Sequence, residues 1–185
     1  MPDGTVVTIR PITSADLGLE QEFVEGLSAR SGYQRLMSAR RPSLEELKRL
    51  TDINPERETA LIATVPSNGR ERQIGVARYV KESSTADAEF AIVLSDDWQR
   101  RGLGTKLLGS LLTAAKNDGV RRLIGTTMSE NDGMLALGRA LGFKRTKDPS
   151  SATITNLIVD LSQDVPETAH SLRRPSRHAE DPASR

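Results

Sequence analysis

Residues 88–108, AEFAIVLSDDWQRRGLGTKLL, constrain this chain more than any other stretch. An apolar strand leads into a turn, glycines follow at Gly102 and Gly104, and an amphipathic helix starts there. That order brings free backbone N–H groups and a helix N-terminus to one point beside a strand end. The first N–H groups of a helix have no partner within it, and the helix dipole makes that end partly positive. Such a point holds phosphate oxygens well. Glycine ahead of a helix also serves simply to ease a turn, and that local reading stands beside the first.

Two common phosphate loops are excluded. A dinucleotide fingerprint requires a third glycine three residues after Gly104, where Leu107 stands. A P-loop requires Gly, four residues and Gly-Lys-Ser/Thr, and no such string occurs. Composition narrows the chemistry further. There is no cysteine, so disulfides, thiol nucleophiles and thiolate metal sites are unavailable. Both histidines, His170 and His178, lie in a segment from Ser162 onward that has no aromatic residue. Residues 162–185 bury too little apolar surface to offset ordering entropy, and read as a disordered tail. Residues 1–161 then form one domain without His or Cys. A Ser-His-Asp triad, a Cys-His pair and ordinary zinc sites are ruled out there, and no metal is expected. Any general base must be Asp, Glu, Lys, Tyr or a water that they hold.

At 185 residues the chain suffices for a sizeable core. A net charge of +1 gives no electrostatic case for nucleic acid or an anionic membrane as partner. No apolar run approaches the ~20 residues of a membrane span, and no signal-peptide pattern opens the chain. A cytoplasmic location is the expectation.

Periodicity orders the elements. Residues 6–12 are β-rich, and Thr13 or Ser14 caps a helix with Asp16 at its positive end and Leu17, Phe23, Val24 and Leu27 as its stripe. A short helix takes in Tyr33, Leu36 and Met37. Ser43 and Glu46 form a capping box for a helix through Leu50. Strands over 59–65 and 73–80 are joined through Asn68-Gly69, a hairpin signal, and a third covers 85–94. The helix over 102–117 lays Leu103, Leu107, Leu108, Leu111, Leu112 and Ala115 on one face, and Gly119 stops it. A strand over 122–128 follows, then a helix with Met134, Leu137 and Leu141 as its buried stripe and Gly142 as stop. A strand from Phe143 and one over 153–161 complete the order.

Gln99-Arg100-Arg101-Gly102-Leu103-Gly104 matches a Gln/Arg-x-x-Gly-x-Gly/Ala signature. With the strand before it and the helix after it, the chain resembles the GNAT superfamily of acyl-CoA-dependent N-acyltransferases over roughly residues 6–161. The resemblance implies an α/β (α+β) fold: a single domain with a mixed, mostly antiparallel sheet of about seven strands flanked by helices. It also implies that the third meander strand and the strand after the glycine-loop helix splay apart around the pantetheine arm, which periodicity alone does not give. Acetyl-CoA is the implied acyl donor. Its implied contacts are the loop residues Gln99, Arg100, Arg101, Gly102, Leu103, Gly104 and Thr105, and the backbone around Ile92, Val93 and Leu94. On their own, Arg100 and Arg101 read as solvated surface and residues 92–94 as buried strand. Closer runs, Ile9-Arg10-Pro11, Val76-Ala-Arg-Tyr-Val80, Ala88-Glu-Phe-Ala91 and Asp96-Asp-Trp-Gln99, are similar to the acetyltransferase domain of bacterial protein lysine acetyltransferases.

Acyl transfer to an amine requires a deprotonated nitrogen, and a lysine amine has a pKa near ~10.4. It also requires donors for the oxyanion and a route out for the thiolate. Glu89, between Ala88 and Phe90, reads by alternation as a solvated carboxylate; the resemblance makes it the general base of direct transfer in a ternary complex. Asp87 and Glu82 are weaker stand-ins. The family pattern of Asn, six residues and Tyr, closed by Gly-Phe, fits Asn131, Gly142 and Phe143, but Gly138 stands at the tyrosine position. Tyr79 and Ser129 are substitute acids, or packing and capping residues. Asn131 is a cofactor contact or a helix cap. Trp98 is expected at the base of the loop. The implied acceptor is a primary amine, a protein lysine by the closer likeness. A small-molecule amine acetyltransferase and a non-catalytic acyl-CoA-binding module are the alternatives. Residues 30–41 are acceptor-side wall or plain surface, and a homodimer is a further expectation from the family.

Overall fold

The sheet begins with three antiparallel pairings. β1 (Thr8–Pro11) pairs antiparallel with β2 (Glu58–Ser67), β2 with β3 (Arg70–Lys81), and β3 with β4 (Asp87–Leu94). Asn68 and Gly69 join β2 to β3 with φ of 50° and 76°, as a two-residue hairpin turn requires. A parallel neighbour cannot be reached by a tight turn. α4 (Leu103–Asn117) makes that crossover, and β5 (Arg122–Met128) runs parallel to β4. β7 (Ser151–Asp160) pairs antiparallel with β5, and β6 (Lys144–Asp148) with β7. The result is a seven-stranded sheet in the order β1-β2-β3-β4-β5-β7-β6, with β4–β5 as its parallel junction. This is the mixed, mostly antiparallel α/β sheet that the sequence implies. The computed structural model describes residues 1, 4–36 and 42–162, with side chains of 34–36 excepted. Met37, the rest of 37–41 and the expected tail beyond Ser162 lie outside the described residues.

Helices cover both faces. Leu103, Leu107, Leu108, Leu111 and Ala115 of α4 are fully buried, in one core with Ile74, Ala88, Phe90, Leu123 and Leu157. On the opposite face α1 (Leu17–Glu25) buries Phe23 against Ile12, Ala60, Ile62, Val76 and Val93. α2 (Ala29–Leu36) and α3 (Leu44–Thr51) follow α1. The capping box of α3 is made: the Ser43 N–H donates to Glu46 Oε2 at 2.7 Å, and the Glu46 N–H donates to Ser43 Oγ at 3.2 Å. At the start of α1, Asp16 accepts the Thr13 N–H and hydroxyl in a short 3-10 turn, and Arg10 clamps its two oxygens at 2.9 and 2.7 Å.

α5 (Asp132–Ala140) carries the expected stripe in part: Met134, Leu137 and Leu141 pack half-buried against the core. Leu135 and Gly138 are its buried positions, while Met134 and Leu137 are half-buried and face a cleft. A helix between a core and an apolar cleft carries apolar residues on both flanks, so periodicity merges the two.

Candidate active site

The parallel junction of β4 and β5 is short. Asp87 pairs with Arg122, Ala88 with Leu123 and Glu89 with Ile124, and there the pairing ends. β5 goes on with β7 as far as Met128, while β4 goes on with β3 as far as Leu94. The two strands therefore part immediately after Glu89, which is the expected splay. Asp87, itself buried, holds the closed end: the Arg122 guanidinium donates to both of its oxygens, through Nε at 3.0 Å and through Nη2. That pairing outweighs burial and keeps the Asp87 carboxyl below the usual carboxylate range.

Phe90 fills the fork just past Glu89. A Cβ on Gly125 would sit 2.3 Å from Phe90 Cε1 and 2.6 Å from Cζ, so glycine at 125 is what admits the ring. On its other side Phe90 meets Phe143, with centroids 5.1 Å apart. Beyond this plug lies a cleft of about 750 Å³. Glu89, Phe90, Ala91, Ile92, Val93 and Leu94 form one wall, and Gly125, Thr126, Thr127, Met134 and Leu137 form the other. Gln99, Arg100, Gly102, Gly104 and Thr105 close one end, with Asn131 and Ser31 beside them.

Main-chain direction alternates along a strand. The Ser95 N–H donates to Ile74 O of β3 at 2.9 Å, so Val93 also turns its N–H to β3. Ile92 and Leu94 turn theirs to the open fork. Side chains alternate too, and Glu89 and Val93 project to the α1 face, Phe90 and Ile92 to the α4 face.

At the loop, Arg100 has a φ of 56° and Gly102 one of 83°. Left-handed backbone at a non-glycine residue costs about 1–3 kcal/mol. Here it re-aims the chain so that Gly102 becomes the N-cap of α4. Gly102 has no side chain to cap with, and no acid occupies the first turn. The first amides of α4 are thus left to whatever the cleft holds. Compare α5, whose N-cap Asn131 accepts the Met134 N–H at 3.2 Å and donates to Thr127 Oγ1 at 3.2 Å. Asn131 is a helix cap that also lines the cleft.

Of the residues expected at the site, Glu89, Ile92, Val93, Leu94, Gln99, Arg100, Gly102, Gly104, Thr105 and Asn131 come together around one cleft. Two side chains turn elsewhere. Arg101 stacks over Trp98, 4.6 Å from the ring centroid, and Leu103 is fully buried in the core. The substitute acids do not reach the cleft. Tyr79 is buried and donates to Asp118; burial first, then that carboxylate, push its phenol up to about 12. Ser129 shares a 2.9 Å hydrogen bond with Thr155. Gly138 is buried, and a Cβ there would lie 3.2 Å from both Leu157 methyls. Among the stand-in bases, Asp87 is committed to Arg122 and Glu82 is exposed outside the cleft lining. Among the described residues no hydrogen bond or ion pair engages the Glu89 carboxylate, and no group of His, Cys, Asp and Glu is arranged to hold a metal. No described helix is long and apolar enough to cross a membrane.

Ser31 falls in the stretch 30–41 read as acceptor-side wall or plain surface, but neither it nor Gly125, Thr126 and Thr127 of the β5 wall is singled out by the sequence. The resemblance implies that this strand is a wall; the local signal for its residues is the small Gly125 in the run 122–128.

A sheet forked after its fourth strand, with an uncapped glycine-led helix at the mouth of the fork, is the arrangement that the resemblance to acyl-CoA-dependent transferases implies. Residues 7–144 match the family model described as acetyltransferase (GNAT) domain. The chain belongs to the GNAT acetyltransferase family and is an acetyltransferase. It is 30% identical over 154 residues to the acetyltransferase PA5475 of Pseudomonas aeruginosa, covering 83% of each chain. It is 27% identical over 159 residues to the acetyltransferase Pat of Mycolicibacterium smegmatis, covering 85% of this chain but 47% of that relative. The GNAT domain of S. lividans PAT has a TM-score of 0.76 to this fold at 26% identity, covering 85% of this chain and 92% of that one. The yncA protein of Salmonella typhimurium, solved with its cofactor acetyl-CoA, shares the fold with a TM-score of 0.67 at 18% identity, over 97% of this chain and 100% of that one.

Proposed function

We propose that this protein moves the acetyl group of acetyl-CoA directly to the Nε amine of a protein lysine, in a ternary complex with Glu89 as general base. The observation that carries this reading is the position of Glu89, the last paired residue before the β4–β5 fork opens. Its carboxylate stands at the head of the cleft with no partner of its own among the described residues.

The residues fit acetyl-CoA as the donor. The first amides of α4, with Gly102, Gly104 and Thr105, suit the pyrophosphate, and Arg100 adds positive charge beside them. Gln99 and the main chain of Arg101 and Leu103 complete that loop. The fork suits the pantetheine arm: Ile92 and Leu94 offer main-chain N–H groups from one wall, which Val93 completes, and Asn131 lies on the other side. In the transfer the amine nitrogen gives a proton to Glu89 and forms a C–N bond to the thioester carbon, and the C–S bond breaks. A thiol has a pKa near ~8.5, so its thiolate leaves without the acid that Gly138 cannot provide. With no cysteine in the chain, a thiol-bound acyl-enzyme is unavailable, which favours direct transfer. The lysine acceptor rests on the runs 76–80, 88–91 and 96–99, similar to bacterial protein lysine acetyltransferases. A cytoplasmic setting belongs to the same reading.

Thiol release from acetyl-CoA tests it, with lysine-bearing proteins in one set and a panel of small amines in the other. The cysteine-free enzyme adds no thiol background. Release with the proteins supports the reading. Release only with small amines replaces the acceptor, and acetyl-CoA binding with no release in either set contradicts catalysis on an amine.

A further inference from the structure

α2 is anchored by polar contacts. Of its residues with described side chains, Ser31 alone is buried, while Ala29, Arg30 and Tyr33 are exposed. A helix docked by an apolar face keeps its place whatever its neighbours do. Where a buried hydroxyl helps to seat a helix, the seat depends on that hydroxyl's partners.

Those partners lie at the cofactor loop. The Ser31 hydroxyl donates to Asp96 Oδ1 at 2.9 Å and accepts from Gln99 Nε2 at 3.1 Å. The roles are fixed by chemistry, because an ionised carboxylate cannot donate and an amide nitrogen cannot accept. Gln99 Nε2 also donates to Leu94 O, at 3.3 Å, at the end of the fork wall. Asp96 binds the start of the helix as well. Its Oδ1 accepts the Ser28 hydroxyl at 2.9 Å and its Oδ2 the Ser28 N–H at 3.2 Å. Ser28 in turn accepts the Ser31 N–H at 3.2 Å, capping α2. Burial alone would raise the Asp96 carboxyl, but these bonds outweigh it and hold it below the usual carboxylate range. One side chain, Ser31, therefore joins the end of β4, the first residue of the glycine loop and α2, which opens the stretch read from the sequence as acceptor-side wall.

We propose that Ser31 is a positioning residue that transmits occupancy of the glycine loop to α2, so that the acceptor side of the cleft is set by bound acyl-CoA. The proposal rests on the reading that CoA occupies the loop over residues 99–105. When a phosphate settles on those amides, Gln99 is fixed, and Ser31 with Asp96 fixes α2. Among the described side chains of α2, Ser31 is the one that bonds to Gln99, so the coupling runs through its hydroxyl.

Backbone hydrogen exchange, read with and without CoA, tests this with no acceptor required. In the wild-type protein CoA slows exchange both in residues 99–108 and in α2, the latter by about 5-fold or more, a typical coupling between sites. Ser31→Ala keeps the protection of residues 99–108 and loses that of α2. Ser31→Thr, which retains the hydroxyl, restores it; a residue that only stabilised the fold would shift α2 exchange equally with and without CoA. Loop protection in the wild type with an unresponsive α2 overturns the proposal with no variant needed. So does an α2 response that survives in Ser31→Ala. Absence of any protection at residues 99–108 sinks the cofactor reading itself, which separates that failure from failure of the coupling.

Discussion

Gly125→Ala is the sharpest perturbation of the fork. The new methyl would lie 2.3, 2.6 and 2.9 Å from three atoms of the Phe90 ring, inside any real carbon contact. The ring cannot retreat toward Phe143, because that side is close-packed core. Its open side is the cleft. Burying a methyl would gain about 0.8 kcal/mol by transfer alone, but overpacking of this kind costs about 1–3 kcal/mol. The net loss, up to about 2 kcal/mol, lowers Tm by up to roughly 9 °C for a domain of this size. A displaced ring also narrows the fork. Pressing it back to admit the pantetheine arm restores about 1 kcal/mol of strain, which weakens CoA binding by about 5-fold. Thermal melting by circular dichroism and titration calorimetry with CoA read the two effects. Adding Phe90→Leu to Gly125→Ala removes the clashing ring atoms, so the double variant should lie at least ~0.5 kcal/mol above the sum of the single changes. A Tm and a CoA affinity unchanged in Gly125→Ala, or strict additivity in the double variant, would refute the argument that glycine stands at 125 to admit Phe90.

Other expectations follow from the same geometry. Gly102→Ala meets no neighbour, so its cost is left-handed strain alone at φ 83°, about 1–2 kcal/mol; melting should show that loss, together with weaker CoA binding as the loop relaxes. Gly138→Tyr should not raise kcat, because its Cβ would press on both Leu157 methyls in a buried position; a lower Tm with unchanged or reduced thiol release is the expected pair of readings. Asp87 is held below its ordinary pKa by Arg122, so it contributes stability above the unfolded value near ~3.9, and that contribution is lost as pH falls through the lowered folded value. The Tm difference between wild type and Asp87→Asn should therefore be full at pH 7 and shrink below about pH 4.

Much of the fold is legible because its signals are local. The Asn68-Gly69 turn, the Ser43–Glu46 box and the leucine face of α4 each depend on a few neighbouring residues, and each forms as read. The fork is not local. The alternation of β4 runs on unchanged past Glu89, and only the pairing with β5 stops there. For the same reason the second cleft wall is silent in the sequence, since Gly125 matters through Phe90, a contact across strands. α5 misleads in another way: Met134 and Leu137 serve both core and cleft, Leu135 the core. Tyr79 shares a sheet face with Phe90 but stands one strand further from the fork, bound to Asp118, and strand alternation does not give the order of strands. Ser31 reaches the loop by tertiary packing that no spacing encodes.

The central claim is that the carboxylate at the head of the fork takes the proton of the acceptor amine. Glu89→Gln keeps the shape and removes the base, so kcat with a lysine acceptor should fall by about 10²–10⁴-fold. The dissociation constant for acetyl-CoA should stay within about 3-fold, because none of the loop or fork contacts involves this side chain. The fall in kcat at unchanged acetyl-CoA affinity is the predicted result; turnover at the wild-type rate in Glu89→Gln would contradict it.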